Sequence, residues 1–240
     1  VCGAPAVWVE PGKSAQAEKL GYRLRRPVAI IEDHLAETAR READELLTRD
    51  AVRHLIDELK TTSPSVVTEL VPSVMKLAEV QQVLQRLLKE RVSIRQLGLI
   101  LETLGDSVAA TKNPILLTER VRQRLARTLC APVQDEDGVI HAIMPSPELE
   151  DRIAQGFELT DFDVTLHFPP AFPDALVEEL KKQLNNPYRM DCPIVLLTSE
   201  AIRPVVRRLT EYPLPDLTVL SHKEIPVGTR VVSEGMIDVK

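Results

Sequence analysis

Through the first half of the chain, apolar residues recur every three or four positions, the spacing of a helix face. Ile31, Leu35, Ala39, Ala43 and Leu46 share one face and predict a single amphipathic helix over 28–47. Thr48 with Asp50 starts another, whose inward set is Val52, Leu55, Ile56 and Leu59. Ser63-Pro64 starts a third through Val67, Leu70 and Val71, stopped near Pro72. A fourth covers 76–90 with Leu77, Val80, Leu84, Leu87 and Leu88 inward. In the fifth, Ser93 and Gln96 match a capping box, and Ile94, Leu97, Leu101 and Leu104 form the face. Asn113-Pro114 opens a sixth that runs through Leu129; a proline in the first helical turn costs nothing.

From about residue 132 the period changes. VIHAIM at 139–144 reads as a strand, PELEDRI as a short helix and DVTLHF as a strand. Asp174 caps a helix through Leu184, which Asn185-Asn186-Pro187 ends. PIVLLT at 193–198 is an unbroken apolar run, as expected of a strand buried on both faces. SEAIRPVVRRL is a helix, LTVLS a strand and TRVVSEGMIDV an edge strand. At the start, PAVWVE and YRLR read as short strands around a KSAQAEKL helix, with Trp8 in a core. The fold class expected is mixed α/β with several subdomains: an α/β fragment, an all-helical centre and a C-terminal α/β unit. A first residue Val1 inside a strand pattern reads as part of a longer protein.

Composition narrows the picture. The chain has 240 residues, 44% of them hydrophobic but only 3% aromatic, so its cores are built from Leu, Val, Ile and Ala. A net charge of −6 argues against nucleic acid as the main partner. The charge is uneven: residues 76–131 carry ten Lys/Arg and five Asp/Glu, and residues 132–202 carry four and fourteen. Opposite halves of this kind suggest contact between copies or with charged partners. Three dispersed cysteines give neither a disulfide frame nor a zinc site. No run reaches the roughly 18 apolar residues of a membrane span.

Candidate chemistry is sparse. No Walker A loop, GxGxxG or GxSxG occurs. His34, His54, His141, His167 and His222 show no HxxxH or HExxH spacing, so no metal ligand set is expected. Asp161 and Asp163 flank Phe162 with no nucleophile or base nearby in sequence, which fits a solvated strand end. No catalytic residue and no cofactor are expected. The helix pair over 76–105 has the outline of a helix-turn-helix DNA-binding regulator. Of its exposed candidates, Arg95 and Gln96 could read bases, but Leu99 and Glu102 suit a phosphate-lined groove poorly, and the arginines of 120–127 are spread around their helix.

One resemblance covers nearly the whole chain. PAVWVEPGKSAQAEKLGY, EDHLAETARREADELLTRDAVRHLID, VLQRLLKERVSIRQLGLILETL, LTERVRQRLARTL, PELEDRI, PIVLLTSEAIRPVVRRL and PDLTVLSHKEIP occur in the family's order. In this the chain resembles the cytoplasmic domain of the FlhA/SctV (FHIPEP) type III secretion export-gate family, closer to the flagellar branch. The resemblance implies a non-enzymatic platform at the cytoplasmic face of the bacterial inner membrane, joined to the membrane only through an N-terminal part. It implies docking of chaperone–substrate complexes, the export ATPase's stalk protein and a switch protein, and self-association in a nine-copy ring. It also implies four segments: 1–26 the tail of an inserted α/β subdomain, 27–46 the connecting helix of the first, 47–130 the helical subdomain and 131–240 the C-terminal α/β subdomain. The family's chaperone dock is marked by an Asp, a Phe and a Thr. Here the Phe position falls on Cys2 and the Thr position on Asp33, and the Asp position would fall before Val1. For the ring contact, the charge asymmetry suggests Glu90, Arg91, Arg95 and Arg122.

Overall fold

A computed structural model describes residues 6–160, 163–185 and 193–239. Twelve α-helices occur among them. An N-terminal arm holds α1 (Ser14–Lys19), α2 (Pro27–Arg41) and α3 (Ala43–Leu46). A helical unit follows with α4 (Arg49–Thr62), α5 (Pro64–Leu70), α6 (Leu77–Lys89), α7 (Leu97–Val108), α8 (Pro114–Arg124) and α9 (Ala126–Cys130). The last part alternates β1 (Ile140–Pro145), α10 (Pro147–Gln155), β2 (Phe157–Leu159), β3 (Val164–Leu166), α11 (Ala171–Leu184), β4 (Ile194–Thr198), α12 (Arg203–Thr210), β5 (Thr218–Ser221) and β6 (Val231–Ile237). The mixed α/β expectation holds.

The main sheet has the order β5-β4-β1-β6, and every pair in it is parallel. The PIVLLT run is thus a central strand and β6 an edge, as their patterns predict. β2 and β3 form a separate antiparallel pair. Alternation along β4 divides the interior. Val195 and Leu197 face the helical unit and share its core with Val121, Leu125 and Leu129. Leu196 faces the other way, onto Leu149 and Ile153 of α10, Leu176 and Leu180 of α11, and Val205 of α12. The sheet is therefore the middle of three layers. Each fully buried Leu or Val contributes about 1.5–3 kcal/mol against exposure, and those of β4 do so on both faces. The helical unit and the α/β unit consequently share one core across the expected boundary at 130/131.

Caps fix the helix starts. Thr48 Oγ1 accepts from Ala51 N at 3.2 Å, and Asn113 Oδ1 accepts from Ile115 N at 2.8 Å with Pro114 in the first turn. Several expectations need correction. Ser93 and Gln96 do not make a capping box. Ser93 Oγ accepts from Arg95 N at 3.4 Å, Gln96 Nε2 donates to Thr128 Oγ1 at 2.9 Å, and α7 starts a turn late at Leu97. The helix over 28–47 breaks at Glu42, because α3 turns to meet α6: Gln85 Nε2 donates to Asp44 O and Leu47 O at 3.1 and 3.2 Å. The sixth helix likewise breaks at Leu125. PAVWVE and YRLR form no strand at 6–10 or 22–25, for no ladder partner lies beside them among the described residues, and Trp8 is 84% exposed rather than in a core. β2 carried no signal that marked it as a strand.

Candidate interdomain docking junction

The helical and α/β units meet on buried charge. Glu119 and Arg122 stand on the same face of α8 as Ile115, at i, i+4 and i+7, and all three are buried. Glu90 is the residue at the end of α6, and Arg203 is the first residue of α12. Arg203 lies between two carboxylates. Its Nε donates to Glu119 Oε2 at 2.5 Å and its Nη2 to Glu119 Oε1; Nη1 and Nη2 also donate to Glu90 at 2.8 and 3.1 Å. Arg122 donates Nε to Glu224 Oε1 at 2.6 Å and Nη1 to Glu90 Oε2 at 3.1 Å. The far oxygen of Glu224 accepts from Ser221 N at 2.6 Å. The side chains of Arg122, Arg203 and Glu224 are 2%, 1% and 0% exposed. A guanidinium in such a place is tolerable only with its donors satisfied, and paired forks do that.

The same arginines close a sheet edge. β5 ends the sheet, so the carbonyls of Leu217 and Val219 point away from β4 with no strand to receive them. Arg207 Nη1 donates to Leu217 O at 3.0 Å, while Arg122 Nη2 and Arg203 Nη1 reach Val219 O at 3.2 and 3.4 Å. Side chains thus replace a fifth strand and remove an edge that would otherwise pair with other chains.

Electrostatics follow the geometry. Burial pushes the Glu90 carboxyl up, but the charges of Arg203 and Arg122 outweigh it and hold it at about 2. Burial lifts Glu119 against the pull of Arg203. Burial, with Glu224 nearby, raises the Cys130 thiol to about 11, and its Sγ donates to Glu224 O at 3.3 Å. Elsewhere, His141 on β1 sits between Glu234 Oε1 at 2.6 Å and Asp135 Oδ2 at 2.9 Å, and these bonds raise its pKa. The two carboxylates lie on opposite ring nitrogens, which leaves no shared ligand position for a metal. Among the described residues no group of three His, Cys, Asp or Glu is placed to hold a metal, and no helix is long and apolar enough to cross a membrane.

Beside the charge cluster lies a cleft of about 450 Å³. Val92, Leu129, Val133 and Leu217 line it, with Arg91 and Asp216 among its walls.

The residues singled out from sequence separate. Cys2 and Asp161 lie outside the described residues. Asp33 stands half-exposed on α2 and pairs with Arg25 at 2.8 Å. Glu90 and Arg122 belong to the internal cluster described above. Arg91 pairs with Asp216, and Arg95 is exposed and forms no ion pair among the described residues. Asp163 pairs with Arg208 at 3.3 Å. Glu119, Arg203, Glu224 and His141 were missed as a site. The one available signal was a charged pair on an apolar stripe of α8. The helix pair of 76–105 is a packing element: Leu97, Ile100, Leu101 and Leu104 of α7 are buried with Val80, Val83, Leu84 and Leu87 of α6.

A helical unit and a four-stranded parallel sheet that share one core define the class of fold. The chain belongs to the FHIPEP family, whose match spans residues 1–230. It is 34% identical over 237 residues to flagellar biosynthesis protein FlhA of Bacillus subtilis, covering 99% of this chain and 35% of that protein. The chain thus spans about a third of that relative's length. Among solved structures it resembles CdsV in the Chlamydia pneumoniae CdsV and CdsO complex, with TM-score 0.86, 28% identity, and coverage of 96% of this chain and 68% of that one. It also resembles the nonameric EscV cytosolic domain from the type III secretion system, with TM-score 0.70, 26% identity, and coverage of 82% and 58%.

Proposed function

We propose that this chain is a docking and ring-forming part of a protein export gate, acting by binding and not by catalysis. The observation that carries the reading is the likeness, at 26% identity, to a cytosolic domain that assembles as a nonamer. The CdsV–CdsO complex supports a second role, docking of a CdsO-like partner. Family membership extends the partner set to chaperone–substrate complexes, the stalk protein of the export ATPase and a switch protein. On this reading the four segments 1–26, 27–46, 47–130 and 131–240 are parts of the family's cytoplasmic region.

The buried junction suits such a role, because a platform that bears load between copies needs its units fixed to each other. Arg95, exposed and free of intramolecular ion pairs among the described residues, is the foremost candidate for contact with a neighbouring copy. Arg91 stands four residues before it in sequence, and Glu90 pairs with Arg122 at 3.1 Å. Asp33, with Cys2, remains the candidate for the chaperone dock. Exposed pairs contribute only about 0.2–1 kcal/mol each, so self-association of this chain is expected only at high concentration. Light scattering over a concentration series tests it: Arg95→Glu should lower the average mass at the highest concentration. Equal mass for the variant and the unaltered chain would remove Arg95 from the contact.

A further inference from the structure

α6 ends in a Schellman turn. Val92 N donates to Leu87 O at 2.9 Å and Arg91 N to Leu88 O at 2.8 Å. The turn needs a left-handed residue, and here it is Arg91, at φ 58, the one non-glycine with positive φ among the described residues. Glycine takes that conformation freely, whereas an L side chain is strained in it. Strain of this kind persists where the side chain has other work.

The side chain of Arg91 joins three parts of the molecule. From the end of α6, Nη1 reaches Asp216 Oδ1 at 2.8 Å, in the loop between α12 and β5. Nη2 reaches Glu37 Oε1 on α2 at 3.8 Å. No other hydrogen bond or ion pair among the described residues links α2 to the chain beyond Leu46. Both Arg91 and Asp216 wall the 450 Å³ cleft. The groups are well exposed, with side chains 44% and 82% accessible, so the bond is weak and screened by salt. A strained backbone held for a weak, solvated bond adds little to stability. What it does add is a fixed position for α2 and for the 213–217 loop.

We propose that Arg91 is a salt-sensitive latch that holds α2 and the 213–217 loop to the helical unit. Release frees α2 and, separately, the 213–217 loop that walls the apolar cleft, while the buried Glu90–Arg203–Glu119 junction keeps the two units joined. This inference does not depend on the export-gate reading, because its test needs only the folded chain.

Arg91→Gly separates the backbone from the side chain. The variant relieves the strained φ, so its thermal unfolding temperature should equal or exceed that of the unaltered chain. Its amide hydrogens in α2 and at 214–218 should nevertheless exchange roughly two- to fivefold faster at low salt, the range set by an exposed ion pair. Asp216→Asn should accelerate the 214–218 amides with no change at α2. High salt should bring the unaltered chain toward the Arg91→Gly exchange pattern. Unchanged exchange at both places in Arg91→Gly, whatever its unfolding temperature, would overturn the latch. So would a fall in unfolding temperature for this variant without selective acceleration at those two places, since Arg91 would then be an ordinary stabilising cap.

Discussion

The junction and the N-terminal arm invert the usual rule of burial. At the junction, Arg122, Arg203 and Glu224 are charged and inside. In the arm, Trp8, Ile31 and Leu35 are apolar and outside, with Ile31 at 66% and Leu35 at 68% exposed. The contrast with α4 is sharper still, because its pattern is of the same kind as that of α2. Val52 and Ile56 are buried under α5 and α6, whereas the matching stripe of α2 has nothing over it among the described residues. An amphipathic pattern states that a face requires cover; it does not state what covers it. A charged residue on an apolar stripe states the converse, that its partner must come inside with it.

The largest effect should come from breaking the junction on one side. Arg203→Ala leaves Glu90 and Glu119 buried without their fork, and unpairing buried charge costs about 3–5 kcal/mol. The denaturant midpoint of unfolding measures it. Adding Glu119→Gln to Arg203→Met should recover part of the loss, because fewer unpaired charges then stay inside.

Next comes the direct comparison of the two stripes. Ile56→Ala should lose about 2–5 kcal/mol as a core truncation. Ile31→Ala in this chain should stay within about 0.5 kcal/mol, the range of surface changes. Equal losses at the two sites would break the contrast between α4 and α2.

A single methyl tests how tightly the α/β unit is packed. A Cβ on Gly156 would lie 2.0 Å from Cε1 of Phe168, whose ring stacks on Phe172 at 4.7 Å. Gly156→Ala should therefore cost about 1–3 kcal/mol by overpacking, read as a lowered melting temperature.

The effects of pH have two signs. The carboxyl of Glu90 is depressed to about 2, so its contribution is present above its unfolded value of 4.5 and is lost as pH falls toward 2. His141 has the opposite sign. Its pKa is raised above the model-peptide value of 6.5, so its contribution is full below that value and is lost as pH rises through the higher folded one. Urea midpoints across acid and neutral pH should fall at the acid end in the unaltered chain, and His141→Gln should remove a decline on the alkaline side.

Much of the fold was legible because its signals are local. The stripes of α4 to α7, the Thr48 and Asn113 caps, the apolar run of β4 and the edge position of β6 each follow from a few neighbouring residues. Strands at 6–10 and 22–25 were expected from alternation alone, and alternation does not supply a ladder partner. The break at Glu42 carries no glycine or proline; it arises because Gln85 on α6 draws the chain at Asp44 and Leu47. The charge cluster was illegible for the same reason. Glu90, Glu119, Arg203 and Glu224 come from four separate elements, and only Glu119 and Arg122 share a helix. Charge asymmetry did point to Glu90 and Arg122, although the partners they meet here lie within the chain.

The most direct test of the account is a calorimetric titration of this chain with the CdsO counterpart from the same organism. The export-gate reading predicts saturable binding with a micromolar Kd. Absence of binding, by a chain that remains folded at the concentrations used, would contradict the proposal that this part of the protein is a docking platform.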